Sequence, residues 1–114
     1  VIGKFGPTKD NQRNDGINIA APAGAPVLAS AAGTVAYAGN ELRGFGNMVL
    51  LRHADGWVTA YAHNSALLVK KGDKVKQGQI IARVGSTGNV DTPQLHFELR
   101  QGTKAVDPLQ NLTR

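Results

Sequence analysis

The chain has no cysteine, one methionine, one tryptophan, two tyrosines and three phenylalanines among 114 residues. The first absence excludes a disulfide framework and a thiol nucleophile, and leaves the redox compartment open. Aromatics are scarce and no basic run is interleaved with them, so nucleic acid is not the expected partner: surfaces that bind it stack bases on aromatic rings. No apolar stretch is long enough to cross a membrane, and any export signal or lipid anchor is expected to lie upstream of Val1. The chain opens at Val1 without an initiator methionine, and reads as an excised piece of a longer protein. Acidic residues are few as well, 8 against 13 Lys and Arg, for a formal charge of +5. Such a surface favours anionic partners at long range; a polyanionic cell wall or an acidic protein fits equally.

What is present points to one all-β domain spanning 1–114. Forty-one per cent hydrophobic residues with 18% charged is ordinary for a globular fold. Fourteen Gly, five Pro and many Val and Ile, with no helical spacing of Leu, Glu, Lys and Ala, favour short strands joined by tight turns. Residues 1–16 are polar and turn-rich and read as an irregular segment leading to a strand near Ile17. Stretches 26–29 and 33–39 read as a strand pair with Val35 and Tyr37 on one face. Stretches 48–53 and 57–63 flank Ala54-Asp55-Gly56, and Asp-Gly between β-rich runs signals a hairpin. That hairpin puts His63 at a strand end.

Three short segments carry the polar chemistry. Gln94-Leu95-His96-Phe97-Glu98 places 94, 96 and 98 on one face of a strand. Asn14-Asp15-Gly16-Ile17-Asn18 has neutral carboxamides at 14 and 18, and Tyr61-Ala62-His63 supplies a second histidine. Together they resemble the signature of the lysostaphin/LytM-type zinc peptidases of bacterial cell walls: His-x-Gly-x-Asp, Tyr-Ala-His and His-x-His. The resemblance runs from about Gly16 to Leu109 and includes Gly-Ile-x-Ile-Ala-Ala-Pro, Gly-x-Gly-Asn, Gly-Ser-Thr-Gly, Leu-His-Phe-Glu and Val-Asp-Pro. It implies a small antiparallel β-sandwich with long loops around a groove.

By that resemblance zinc would be held at positions 14, 18 and 96, with 63 and 94 acting on water and the transition state. Here the ligand positions are Asn14, Asn18 and His96, and Gln94 stands where a catalytic histidine would. A catalytic zinc needs three imidazole, thiolate or carboxylate ligands and an open position, and full structural sites bind zinc with roughly 10–16 kcal/mol. One imidazole does not supply that, and Gln94 cannot exchange a proton. The expectation is a folded domain without hydrolysis, metal or other cofactor, with Asn14, Asn18, His63, Gln94 and His96 as a vestigial active site.

Such degeneracy resembles the NlpD/EnvC-type murein hydrolase activators, whose likeness is strongest across 37–47. The resemblance implies a periplasmic or envelope domain that binds and switches on a zinc-dependent N-acetylmuramoyl-L-alanine amidase during division and daughter-cell separation, with peptidoglycan itself as a further partner. Arg43, Phe45, Tyr61, His63, Gln94 and His96 would form its partner groove. A passive peptidoglycan-binding adaptor and a residual zinc-dependent murein endopeptidase stay open as alternatives. Of the remaining polar residues, His53 reads as a solvated strand end, Glu98 and Arg100 as a surface pair, and Lys70, Lys71, Lys74 and Lys76 as a solvated basic loop.

Overall fold

A computed structural model describes residues 2–7 and 12–111 of the chain. Its strands are β1 (Gly6–Pro7), β2 (Arg13–Asn14), β3 (Ile17–Ala20), β4 (Pro26–Leu28), β5 (Gly33–Gly39), β6 (Asn47–Arg52), β7 (Trp57–Leu67), β8 (Lys74–Val75), β9 (Ile80–Val84), β10 (Gln94–Gln101) and β11 (Lys104–Val106), followed by a short helix α1 (Pro108–Asn111). Every pairing is antiparallel. Among the described residues no helix is long and apolar enough to cross a membrane.

The Asp-Gly turn forms as the sequence predicts. Asp55 and Gly56 adopt left-handed angles, φ 63° and 80°, and the chain reverses from β6 into β7, pairing Arg52 with Val58. β7 is the spine of the molecule. Its first half lies between β6 and β10, and from Asn64 onward it pairs with β9 instead. A single nine-stranded sheet therefore runs β11-β10-β7-β6-β5-β8 as one layer, with β3 also on β10, and continues from the end of β7 through β9 to β4, which pack across it as a second layer. Between them lies the main core, with Val35, Val49, Leu51, Tyr61, Ile81 and Phe97 buried. A smaller cluster, Met48, Ala60 and Ala62 with Tyr37, Phe45 and Leu50 against it, sits on the opposite face.

Three sequence expectations change. The stretch 26–29 does not pair with 33–39: β4 pairs with β9, through Val27 and Ala82, while β5 lies between β6 and β8. Val35 and Tyr37 do not share a face, because the register shifts between them, Val35 opposite Leu51 and Tyr37 opposite Leu50. Such a bulge inserts one residue and reverses the alternation beyond it, sending Val35 into the main core and Tyr37 to the second cluster. The N-terminal segment is more ordered than a loop where it is described: Gly6 pairs with Asn14, Pro7 with Arg13, and Gly3 bridges to Asn18. Residues 1 and 8–11 of that segment lie outside the described residues.

Gly16 sets how closely the N-terminal segment approaches β10. A Cβ at this position would overlap the carbonyl oxygen of Phe97 and meet Cγ of Glu98 at 2.8 Å. Backbone cannot yield as a flexible side chain does, so Gly16→Ala is expected to destabilise the domain by about 2 kcal/mol or more. Urea unfolding of the two proteins checks this, with the midpoint falling and the slope unchanged.

Candidate functional site

Alternation along β10 divides its side chains between two environments. Phe97 and Leu99 enter the main core, with Leu95 packed against it, while Gln94, His96 and Glu98 face the other side, all three buried. β3 lies beside them with Asn18 directly opposite His96. Asn14 enters from the end of β2, its Oδ1 accepting the N–H of Gly16 at 3.2 Å in the manner of an Asx turn.

The three amides form a relay. Asn14 Nδ2 donates to Asn18 Oδ1 at 3.1 Å, Asn18 Nδ2 donates to Gln94 Oε1 at 2.9 Å, and Gln94 Nε2 donates to the Thr92 carbonyl at 3.3 Å and its hydroxyl at 3.2 Å. Each amide presents one donor group and one acceptor to its neighbours. Asn14 and Asn18, two of the positions expected to hold a cation, thus hold each other.

A chain of charged groups continues from His96. Its Nε2–H donates to Glu98 Oε2 at 2.9 Å, turning Nδ1 towards Asn18, whose Oδ1 is 3.3 Å away. Arg100 grips the other oxygen of Glu98 through Nε at 2.9 Å and its terminal nitrogen at 2.8 Å. The same guanidinium lies 3.8 Å from Asp15, which pairs with Arg13 at 3.2 Å. Burial alone would raise the Glu98 carboxyl, but the hydrogen bonds from His96 and Arg100 and the arginine charge outweigh it and hold the group below its ordinary value. Glu98 is therefore not half of a surface pair. It orients His96 as carboxylates orient metal-ligating histidines.

His63 stands at the joint of β7, with φ 70° in the left-handed region that few residues other than glycine adopt. It falls between the last β10 pairing, at Ala62, and the first β9 pairing, at Asn64. Its Nδ1–H donates to the Thr87 carbonyl at 2.8 Å. Around this joint Asn47 and Asn64 exchange side-chain to backbone bonds at 3.0 Å, and the Thr87 hydroxyl donates to the Asn64 carbonyl at 2.8 Å. Burial lowers the pKa of His63; the Thr87 bond opposes this and the nearby His96 adds to it. The two histidine rings are 6.0 Å apart and Phe45 is 5.8 Å from His96.

Asn14, Asn18, Phe45, His63 and His96 line one cleft of about 380 Å³, together with Arg13, Asn89 and Val90. Phe45 is carried on a 3-10 turn, Arg43–Phe45, and that turn is tied to the 87–89 loop by the Asn89 N–H donating to the Gly44 carbonyl at 3.1 Å. Arg43 is exposed on the same turn, beside the cleft lining. Gln94 sits behind Asn18. Tyr61 is the correction: it is 1% exposed in the main core, its hydroxyl accepting from Ser30 N–H at 3.1 Å and bonded to Thr59 at 2.8 Å. It alternates away from Ala60 and Ala62 and lines no groove. His53 is not a solvated strand end either, since its Nδ1–H donates to the Ala32 carbonyl at 2.7 Å and Nε2 lies 2.8 Å from the Thr59 hydroxyl.

Sequence reasoning missed the supports, Thr87, Asn64, Thr92 and Arg13. Only Glu98 had a readable signal: two positions after His96, on the same face of a strand.

Zinc does not fit this donor set. Neutral amide oxygens replace an imidazole and a carboxylate, they are engaged with one another, and His96 is the single imidazole at a ligand position. Among the described residues no group of three or more His, Cys, Asp or Glu could hold a metal ion. Without a third anionic or imidazole ligand the cation's desolvation is not offset. The arrangement is a closed polar floor beneath an open cleft.

The likeness to known proteins extends over nearly the whole chain. The cell division protein DipM of Caulobacter vibrioides is 54% identical over 120 residues, covering all of this chain and 20% of that protein. The murein hydrolase activator NlpD of Escherichia coli K12 is 47% identical over 112 residues, covering 98% of this chain and 29% of its own length. The chain thus spans a minor part of these relatives. Among solved structures, the catalytic domain of lysostaphin from Staphylococcus simulans superposes with a TM-score of 0.88 at 35% identity, covering 96% of this chain and 88% of that one. With residues 12–108 matching its model, the chain belongs to peptidase family M23.

Proposed function

We propose that this domain binds and activates a peptidoglycan amidase in the bacterial envelope, during cell division and daughter-cell separation. One observation carries the reading: the cleft keeps its walls, its strained histidine and its aromatic rim, while the cation positions are closed by the Asn14–Asn18–Gln94 relay. A cleft that retains shape but has no hydrolytic chemistry is available for docking. The names of its relatives, a murein hydrolase activator and a cell division protein, support the same direction.

In this reading the cleft engages the segment that blocks an autoinhibited amidase and favours the open enzyme. A shift from about 1% to 99% open requires on the order of 5.5 kcal/mol of differential affinity. Phe45 at the rim and exposed Arg43 beside it are the anchors, with His63 and His96 on the floor; aromatic and arginine side chains concentrate binding energy in such grooves. Arg43→Ala and Phe45→Ala each reduce amidase stimulation roughly tenfold or more with the fold intact by circular dichroism. The assay is release of soluble fragments from purified murein by amidase, domain or both. Fragment release by the domain alone sinks the reading in favour of an enzyme; sedimentation with murein but no stimulation means a passive adaptor.

A further inference from the structure

The layer formed by β4, β9 and the end of β7 carries its own unpartnered surface, on the side away from the main core. Leu28 and Ile80 are opposite one another across β4 and β9. Leu68 is tied alongside by its N–H donating to the Ile81 carbonyl at 2.9 Å. These three aliphatic side chains are 50%, 43% and 49% exposed, although their neighbours Val27, Ile81 and Ala82 are 2% or less. Half-exposed aliphatics on two paired strands, with a third on the segment that follows β7 alongside them, make a patch, and contiguous apolar patches mark interaction surfaces.

Basic turns border the patch. Two residues beyond Leu68 the chain enters Lys70-Lys71-Gly72-Asp73-Lys74, and Lys76 lies in the turn that delivers Gln79 and Ile80. All four lysines are exposed. None of them enters an ion pair among the described residues. The one acid of the segment, Asp73, is committed to the backbone, its Oδ2 accepting the Lys70 N–H at 3.0 Å. The patch therefore joins aliphatic side chains to a border of four exposed lysines against one aspartate, net positive, on a chain of net charge +5.

We propose that this face docks on a lipid membrane surface rich in anionic headgroups. Aliphatic side chains enter the boundary between headgroups and acyl chains, and lysines at the border pair with the negative surface potential. Charge complementarity decides between occupants: a second copy of this basic chain would bring like-charged lysine turns together. The surface is independent of the cleft, which lies on the outer face of the other layer, so a membrane-docked domain keeps its cleft free.

The test is flotation of the 114-residue chain with phosphatidylcholine vesicles, with and without phosphatidylglycerol. Binding is expected only to the anionic vesicles, weakening as salt screens the charges. Replacing Leu28, Leu68 and Ile80 together by Ser, or Lys70, Lys71 and Lys76 together by Glu, is expected to lower partitioning roughly tenfold or more. Circular dichroism and unchanged amidase stimulation certify the cleft in both variants. No flotation, equal binding to neutral vesicles, or binding that survives both variants overturns the proposal. So does concentration-dependent dimerisation that the serine variant abolishes without any vesicle binding, which would assign the face to a second copy.

Discussion

Asn14→His combined with Asn18→Asp converts the chain into a zinc binder with a dissociation constant of about 1 μM or lower, equivalent to roughly −8 kcal/mol or better. The native chain takes up none under the same conditions. The effect is large because the framework is already in place. The side chains at 14 and 18 approach to 3.1 Å and His96 Nδ1 stands 3.3 Å from position 18. Glu98 holds Nε2 and leaves Nδ1 directed at position 18. Two substitutions thus supply the missing imidazole and carboxylate to a third ligand that is already oriented. Metal analysis after dialysis and calorimetric titration measure it. A folded double variant that takes up no zinc would show that loop geometry, rather than donor chemistry, excludes the ion. Hydrolysis is not expected to return with the metal, since Gln94 still offers no proton acceptor.

Glu98→Ala removes about 3–5 kcal/mol of stability, by leaving buried His96 and the Arg100 guanidinium without their shared carboxylate. Chemical denaturation at neutral pH reads this directly. Glu98→Gln is milder, because the amide still accepts one bond. The wild-type protein's pH profile follows from the same site. Glu98 and His63 both have lowered pKa values in the folded state, so in each case the unfolded chain takes up its proton first on acidification. Stability is complete above neutrality, declines below about pH 6.5 as unfolded His63 protonates, and declines again below about pH 4.3 through Glu98. A loss below 2 kcal/mol for Glu98→Ala would mean that Arg100 and Asp15 rearrange to absorb the change.

What the sequence made legible depended on how local the cause was. The Asp55-Gly56 reversal needs only two residues able to adopt left-handed angles, and it formed where expected. The outward row Gln94, His96 and Glu98 follows from strand alternation alone and is equally visible. Pairing partners were not, since β4 lies against β9, more than fifty residues away, and sequence proximity to β5 gives the wrong neighbour. The β5 bulge is invisible for a related reason: it answers the register of β6, and only the paired strand shows that Tyr37 has changed sides. Tyr61 misled because its place beside Ala62-His63 in a motif says nothing of direction, and its hydroxyl serves Ser30 and Thr59 within the core. The amide relay lay further out of reach. It needs Asn14, Asn18, Gln94 and Thr92 to converge from two distant segments.

His63 is simultaneously the elbow of the longest strand and part of the floor of the cleft. Architecture and the lining of the recess share one hinge pin there, so the recess cannot drift in shape while the layers stay joined. Lost chemistry in such a molecule leaves behind a mould rather than a collapsed scar.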